Sequence, residues 1–399
     1  MRIRETLSST FLLTNSLALF TVTRILIRDL LIEAPFFKTL AVSTAFYMSL
    51  GLSAVIGATL LSEKLREKTF LLLWVLLGTC VYFLSINLVI EKVLFNMIIA
   101  ALILGGFIGT GIPVCLAFFA DYTDVKNRGL IGAAIFFITQ LLTVLIYTPI
   151  SDLHIGEKFL VTGVWRLLGV AGIFFYVPIR TLHKEQRQQS LLSIFAQRTF
   201  ILYFFPWFLF CLINFVESPL LESFFGPKLF NVYLMVGIGI SSISAFLGGI
   251  ICDFKGRKTA STVSFVLLGI SYAILSVFQG VFFSIYSFML FEGTAWGILY
   301  VTFVFVIWGD LSEKRVREKY YLLGSMPYLL SSWIEVLAKP LVEVIPIYIS
   351  FSLASFFLFL AVLPLLYAPE TLPEKMLKER ELRSYIERAK RVREKFTKG

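Results

Sequence analysis

Long apolar runs divided by short polar breaks fill this chain almost from end to end. Charges, Pro and Gly punctuate it into twelve runs: 9–32, 38–61, 69–90, 94–120, 129–150 and 159–180, then 199–217, 229–252, 260–279, 281–308, 320–343 and 345–368. Each has about the ~20 residues that cross a bilayer as a helix. The pattern predicts an all-α integral membrane protein. The first run begins near Ser8 and leads into further spans with no small-residue cleavage site, so it reads as a retained helix rather than a signal peptide.

Only 16% of residues are charged and 58% are hydrophobic, against roughly 25% charged in soluble domains. Four domain segments follow: a first six-helix bundle (1–182), a linker (183–198), a second bundle (199–368) and a tail (369–399). The placement of basic residues sets the orientation. With the amino terminus inside, the inner loops and both tails collect roughly 28 of the 36 Lys and Arg residues. Both termini are therefore expected in the cytoplasm and the chain in the cell membrane.

The two halves repeat. In the fourth-to-fifth loop Asp121 stands seven residues before Arg128, and in the tenth-to-eleventh loop Asp310 stands seven before Arg317. Asp253 has a counterpart in Glu63, and Tyr176-Val-Pro178 matches Tyr367-Ala-Pro369. The offsets are about 190 residues in every case, as a duplicated six-helix unit requires.

The loop Gly249-Ile-Ile-Cys-Asp253-Phe-Lys-Gly256-Arg257-Lys258 resembles the G-x-x-x-D-x-x-G-R-K signature of the major facilitator superfamily. Gly105-Gly-Phe-Ile-Gly109-Thr-Gly111-Ile-Pro113 is similar to the family's glycine-rich fourth helix, and Gly163-Val-Trp165-Arg166 to the start of its sixth. The first copy of the loop is degraded, with Arg66 where the turn glycine would stand. The fourth-helix Arg and the fifth-helix glycine-proline run of drug:proton antiporters are absent. The resemblance implies two pseudo-symmetric bundles and alternating access of a substrate site between them. It also implies a cytoplasmic gate of Gly249, Asp253, Gly256, Arg257 and Lys258, with Glu63, Asp121, Arg128, Asp310 and Arg317 as counterparts. In that gate Asp253 faces the start of span five, and Arg257 reaches an acid at the end of span four, Asp121 first.

Ionisable groups inside spans are costly and mark functional positions. Glu292 lies well inside span ten and is the foremost candidate for taking up and releasing a proton. Arg24 in span one is placed to pair with Glu292 or hold an anion, or to snorkel outward beside Arg28 and Asp29. Glu335 and Glu217 are further candidates, and Asn15, Gln140, Asn214 and Trp296 supply polar or aromatic cavity groups. Arg166 reads as an anchor at the outer end of helix six.

Other chemistry has no signature. Cys80, Cys115, Cys211 and Cys252 form no C-x-x-C pair, and His154 and His183 are the only histidines. No metal, catalytic residue, cofactor or nucleic-acid partner is expected, and there is no P-loop for ATP. The expected driving force is a proton gradient, the expected partners a small solute and the bilayer, and the expected state a monomer. From 373 to 398 an apolar stripe at helical spacing, with Lys and Arg twice as frequent as Glu, predicts an amphipathic helix on anionic headgroups. The function expected is a proton-coupled secondary transporter. A transporter-like sensor or scaffold and a polytopic enzyme on lipid-linked substrates are the alternatives.

Overall fold

The structure, a computed structural model, describes residues 3–62, 68–174, 189–279 and 281–373. Glu63, the Tyr176-Val-Pro178 repeat, residues 183–188 of the linker and the basic tail from Glu374 lie outside these residues.

Among the described residues twelve helices form two six-helix bundles. In the first are α1 (Ile3–Leu30), α2 (Phe36–Thr59), α3 (Lys68–Ile90), α4 (Leu94–Tyr122), α5 (Arg128–Tyr147) and α6 (Ile155–Leu168, continued by Val170–Phe174). The second begins with one helical stretch, Arg198–Lys255, broken at Gly226 into α7 (198–225) and α8 (227–255). It continues with α9 (Arg257–Val277), α10 (Phe282–Leu311), α11 (Arg317–Leu329 and Ser331–Ala338) and α12 (Ile347–Tyr367). Among the described residues nine segments are long and apolar enough to cross a membrane. One of these is the α7–α8 stretch, and α6 and α11 are interrupted helices.

The separate loop expected between spans seven and eight is absent: helix persists to a single break. Gly226 takes φ 72 and ψ 161, a backbone conformation that only glycine adopts without strain, and Pro227 follows it as the first residue of α8, where its missing N–H costs nothing.

Small residues set the closest helix contacts. A Cβ on Gly105 or Gly109 of α4 would lie 2.2 or 2.1 Å from backbone oxygens of Phe46 or Leu50 in α2. In the second bundle a Cβ on Gly297 of α10 would lie 2.2 Å from the Ser241 oxygen of α8. Lipid supplies no hydrophobic drive between helices, so such backbone approach is what binds them. The same pairing in both halves, α2 with α4 and α8 with α10, expresses the internal repeat.

The bundles meet along two seams, α5 with α8 and α2 with α11. Opposite α5, Tyr300–Val306 of α10 form a π-helical segment. The Tyr300 ring lies tilted against Phe136 of α5, with centroids 4.2 Å apart. The extra residue per turn re-aims the following side chains, a device that recurs at functional positions.

Candidate functional site

The charged loops of the face that carries α1's start and α12's end converge into one buried clasp. Asp253, at the last turn of α8, accepts hydrogen bonds from Gly129 N and Leu130 N, each at 2.9 Å. Those are unpaired N–H groups of the first turn of α5, where the helix dipole favours an anion. The approach requires glycine on both helices. A Cβ on Gly249 would sit 2.8 Å from the Gly129 oxygen, and one on Gly129 2.8 Å from Asp253 Oδ1.

Two ion pairs cross between the bundles and are related by the internal repeat. Arg128 at the start of α5 pairs with Asp310 at the end of α10. Arg317 at the start of α11 pairs with Asp121 at the end of α4. Each arginine also donates to its own loop: Arg128 Nη2 to Ala120 O at 2.7 Å, and Arg317 Nη2 to Ser312 O at 3.2 Å. Both acid side chains are 1% exposed, so the charges depend on their partners rather than on water.

Arg257 departs from expectation. It does not reach Asp121. Its Nε donates to Asp310 Oδ2 at 2.7 Å, its Nη2 to Val125 O at 2.6 Å, and its Nη1 stands 3.7 Å from Asp253. The reason is connectivity: only Gly256 separates α8 from α9, and α9 lies beside α10 in its own bundle, which brings Asp310 nearer than the far end of α4. The turn itself rests on Gly256 at φ 107. Glu370, in the Pro369-Glu370-Thr371 run that is similar to the end of the family's twelfth helix, accepts from Arg257 N at 2.8 Å and Lys258 N at 3.1 Å, capping α9 much as Asp253 caps α5. Lys258 Nζ reaches Leu366 O at 2.7 Å. Glu63, the remaining counterpart, lies outside the described residues.

Deeper in the membrane the candidates separate into three groups. Arg24 donates to Ser332 of α11 and lies over the rings of Phe20, Phe215 and Tyr328 at 5.6, 5.9 and 5.9 Å. Tyr47 of α2 and Glu335 of α11 also lie within electrostatic reach. Glu335 in turn accepts from Ser218 of α7 at 3.1 Å. This group ties α1 and α2 to α7 and α11 across the bundle interface, so Arg24 does not snorkel outward. Asp29 is engaged instead by Lys158 at 2.7 Å and by Tyr147.

Glu292 is not the partner of Arg24. It is 3% exposed and accepts from Tyr233 of α8 at 3.2 Å, because α10 turns this face into the second bundle's own core. One helical turn away Trp296 donates to Asn214 of α7 at 3.0 Å and meets Phe210 edge-on at 5.0 Å. Glu217 accepts from Ser350 of α12 within the same bundle. Gln140 is half-buried on α5 and joins none of these hydrogen-bonded groups.

The third group was assigned differently from the sequence. Arg166 is wholly buried between α1 and α3, not anchored at an interface, and donates to Asn15 Oδ1 at 2.9 Å. Asn15 thus serves the first bundle's interior. No periodicity signals this, because whether an arginine turns inward or snorkels depends on its neighbours.

A twelve-helix protein with twin bundles and a repeat-related clasp has the form of a transporter, and the comparison with known families decides the lineage. The family model of the Major Facilitator Superfamily matches residues 6–307. The chain belongs to this superfamily.

Solved structures of superfamily members agree in fold. The human organic anion transporter MFSD10 (TETRAN) superposes with a TM-score of 0.70 at 14% identity, covering 91% of this chain and 99% of that one. The proton:xylose symporter XylE, bound to 6-bromo-6-deoxy-D-glucose, gives 0.64 at 14% identity, covering 93% and 95%. The E. coli fucose:proton symporter FucP gives 0.65 at 11% identity, covering 92% and 98%. No curated protein matches the sequence detectably. Membership of the superfamily makes this chain a multi-pass membrane transporter, and these neighbours share its fold.

Proposed function

We propose that the protein is a secondary active transporter that moves a small solute across the cell membrane by alternating access, as a proton symporter. The observation that carries this reading is the clasp. Reciprocal pairs Arg128–Asp310 and Arg317–Asp121, with Asp253 on the α5 terminus, seal one face through contacts between bundles that must break when that face opens. A device with such differential contacts is what a two-state carrier needs. The excess of Lys and Arg on this face supports its being cytoplasmic.

The substrate site of this reading lies between the bundles, where Arg24, Tyr47, Ser332 and Glu335 meet. Glu292, withdrawn from water beside Tyr233, is the proton-exchanging group. The symporter neighbours XylE and FucP support coupling to protons, while MFSD10, described as an organic anion transporter, supports an anionic solute. The protein acts as a monomer with no catalytic residue and no cofactor, and the tail from Glu374 binds anionic headgroups.

A thermal-shift screen of purified protein against small metabolites tests this reading, followed by uptake into proteoliposomes. A ligand at about 100 times its Kd adds roughly 2.7 kcal/mol to the folded state. The hit is expected to weaken in Arg24→Ala. Glu292→Gln is expected to keep counterflow and lose uptake driven by a pH gradient. Gradient-driven uptake at wild-type rates in Glu292→Gln removes that residue from coupling. Absence of counterflow for every bound ligand overturns the transporter reading itself.

A further inference from the structure

Two carboxyl groups lie inside the second bundle with no base to pair with. Glu217 of α7 is 4% exposed and Glu292 of α10 is 3% exposed. Neither forms an ion pair among the described residues. A carboxylate in either place would be a buried charge without compensation, whereas a carboxylic acid would not. Both positions suit a group that carries a proton.

Each acid is held through one oxygen. Glu217 Oε1 accepts from Ser350 of α12, and Glu292 Oε1 accepts from Tyr233 of α8 at 3.2 Å. The second oxygen of Glu217 is buried and has no hydrogen-bond partner among the described residues. The same holds for the hydroxyl of Tyr272 on α9, a side chain 1% exposed. Tyr272 lies within electrostatic reach of both Glu217 and Glu292. Its ring is set edge-on against Phe288 of α10 at 5.2 Å, and Phe288 in turn lies 5.9 Å from the Tyr233 ring. The titratable side chains facing the two acids are Tyr272 from α9 and Tyr233 from α8, while α12 presents Ser350 and Phe351. Glu335 of α11 lies on the other side of α7, bonded to Ser218.

The groups descend from the face opposite the clasp. Ser350, which marks the level of Glu217, is in the first turn of α12. At about 1.5 Å of rise per residue, Tyr272 is about 8 Å from the end of α9 and Glu292 about 15 Å from the start of α10. A phenol hydroxyl both accepts and donates. Tyr272 can therefore take a proton from the shallower acid while giving its own to the deeper one. A proton needs no cavity, which suits a close-packed interior.

We propose that Glu217 is a second proton-exchanging acid, which passes protons through the Tyr272 hydroxyl to Glu292. In each transfer the O–H bond of Glu217 breaks as one forms on the Tyr272 oxygen, and Tyr272 gives its original proton to the Glu292 carboxylate. Tyr272 ends neutral, Glu292 ends protonated, and Glu217 regains a proton from the water beyond the face opposite the clasp. Closing the gap between the two unpaired atoms takes a rotation of the Glu217 side chain or one bridging water. This role rests on Glu292 being the coupling residue, which the uptake assay tests. Proton exchange at these acids needs no solute, so the two readings can fail separately.

The test is infrared spectroscopy of the full chain in lipid at neutral pH, switched from H2O to D2O. Two buried carboxylic-acid bands are expected, one lost in Glu217→Gln and the other in Glu292→Gln. In the wild type the Glu217 band should shift first. Tyr272→Phe keeps the ring and removes the hydroxyl; it should slow deuteration of Glu292 at least tenfold and leave that of Glu217 unchanged. Glu217→Gln should slow Glu292 to the same degree, and it decides the matter if Tyr272→Phe fails to fold. Looser packing would speed exchange, so slowing is not what a merely structural role predicts. Absence of either acid band from the wild type would overturn the assignment. So would Glu292 exchange at the wild-type rate or faster in either folded variant.

Discussion

Asp253→Asn is the most pointed perturbation of the clasp, because it changes charge and one donor–acceptor match with almost no change in volume. The wild-type carboxylate accepts two backbone N–H bonds from α5 at 2.9 Å each and is wholly buried. An amide can accept one of them. Its NH2 then faces the second N–H, so one charge-assisted bond of about 2 kcal/mol is lost. The anion's interaction with the helix terminus, about 1 kcal/mol, is lost with it. With the face open both helix ends meet water, so nearly all of this falls on the closed state. About 3 kcal/mol moves the closed-to-open ratio by about 150-fold. The assay is electron–electron distance measurement between spin labels at Asn127 and Arg315, exposed positions on opposite bundles, with exposed Cys80 replaced by Ser. The variant should show a new, longer population absent from the wild type, at unchanged expression. A distribution identical to wild type, together with wild-type transport, would refute the clasp.

The other expectations use the same clasp and the interface above it. Gly249→Val should lengthen the same label distance, since even a Cβ there stands 2.8 Å from the Gly129 oxygen. Arg317→Asp alone leaves Asp121 facing a second acid and should abolish transport. Arg317→Asp combined with Asp121→Arg should restore a measurable fraction, and a double-mutant cycle should return a coupling of about 3 kcal/mol. No recovery would mean that the two residues act separately. Arg24→Lys should lower the melting temperature less than Arg24→Ala, because the ammonium retains the charge near Glu335 but loses the planar contact with Phe20, Phe215 and Tyr328. Equal losses would show that ring contact contributes nothing.

Much of this was legible in the chain alone. Membrane insertion requires long apolar runs and places charges in loops, so the spans, the twofold repeat and the gate loops all leave marks in one dimension. Asp253 could be placed at the start of α5 because the family signature carries that relation. Partner choice could not be read. Asp121 and Asp310 are near-identical in sequence context, and only packing determined that Arg257 meets Asp310 while Arg317 crosses to Asp121. Glu370 entered the clasp from the far end of α12, more than a hundred residues from the helix it caps.

Inside the spans the limit is rotational. A uniformly apolar helix gives little periodicity from which to tell its lipid face from its buried face, so each intramembrane charge has an identity but no direction. Pairing with Glu292 therefore stood as one of three roles open to Arg24, although α10 turns Glu292 toward Tyr233. Arg166 read as an anchor, although its bundle closes over it. Sequence determined where charge enters the membrane, since insertion energy depends on composition along each segment. Tertiary structure alone decided what each charge faces, since that depends on how neighbouring helices are rotated and how closely their glycines let them approach.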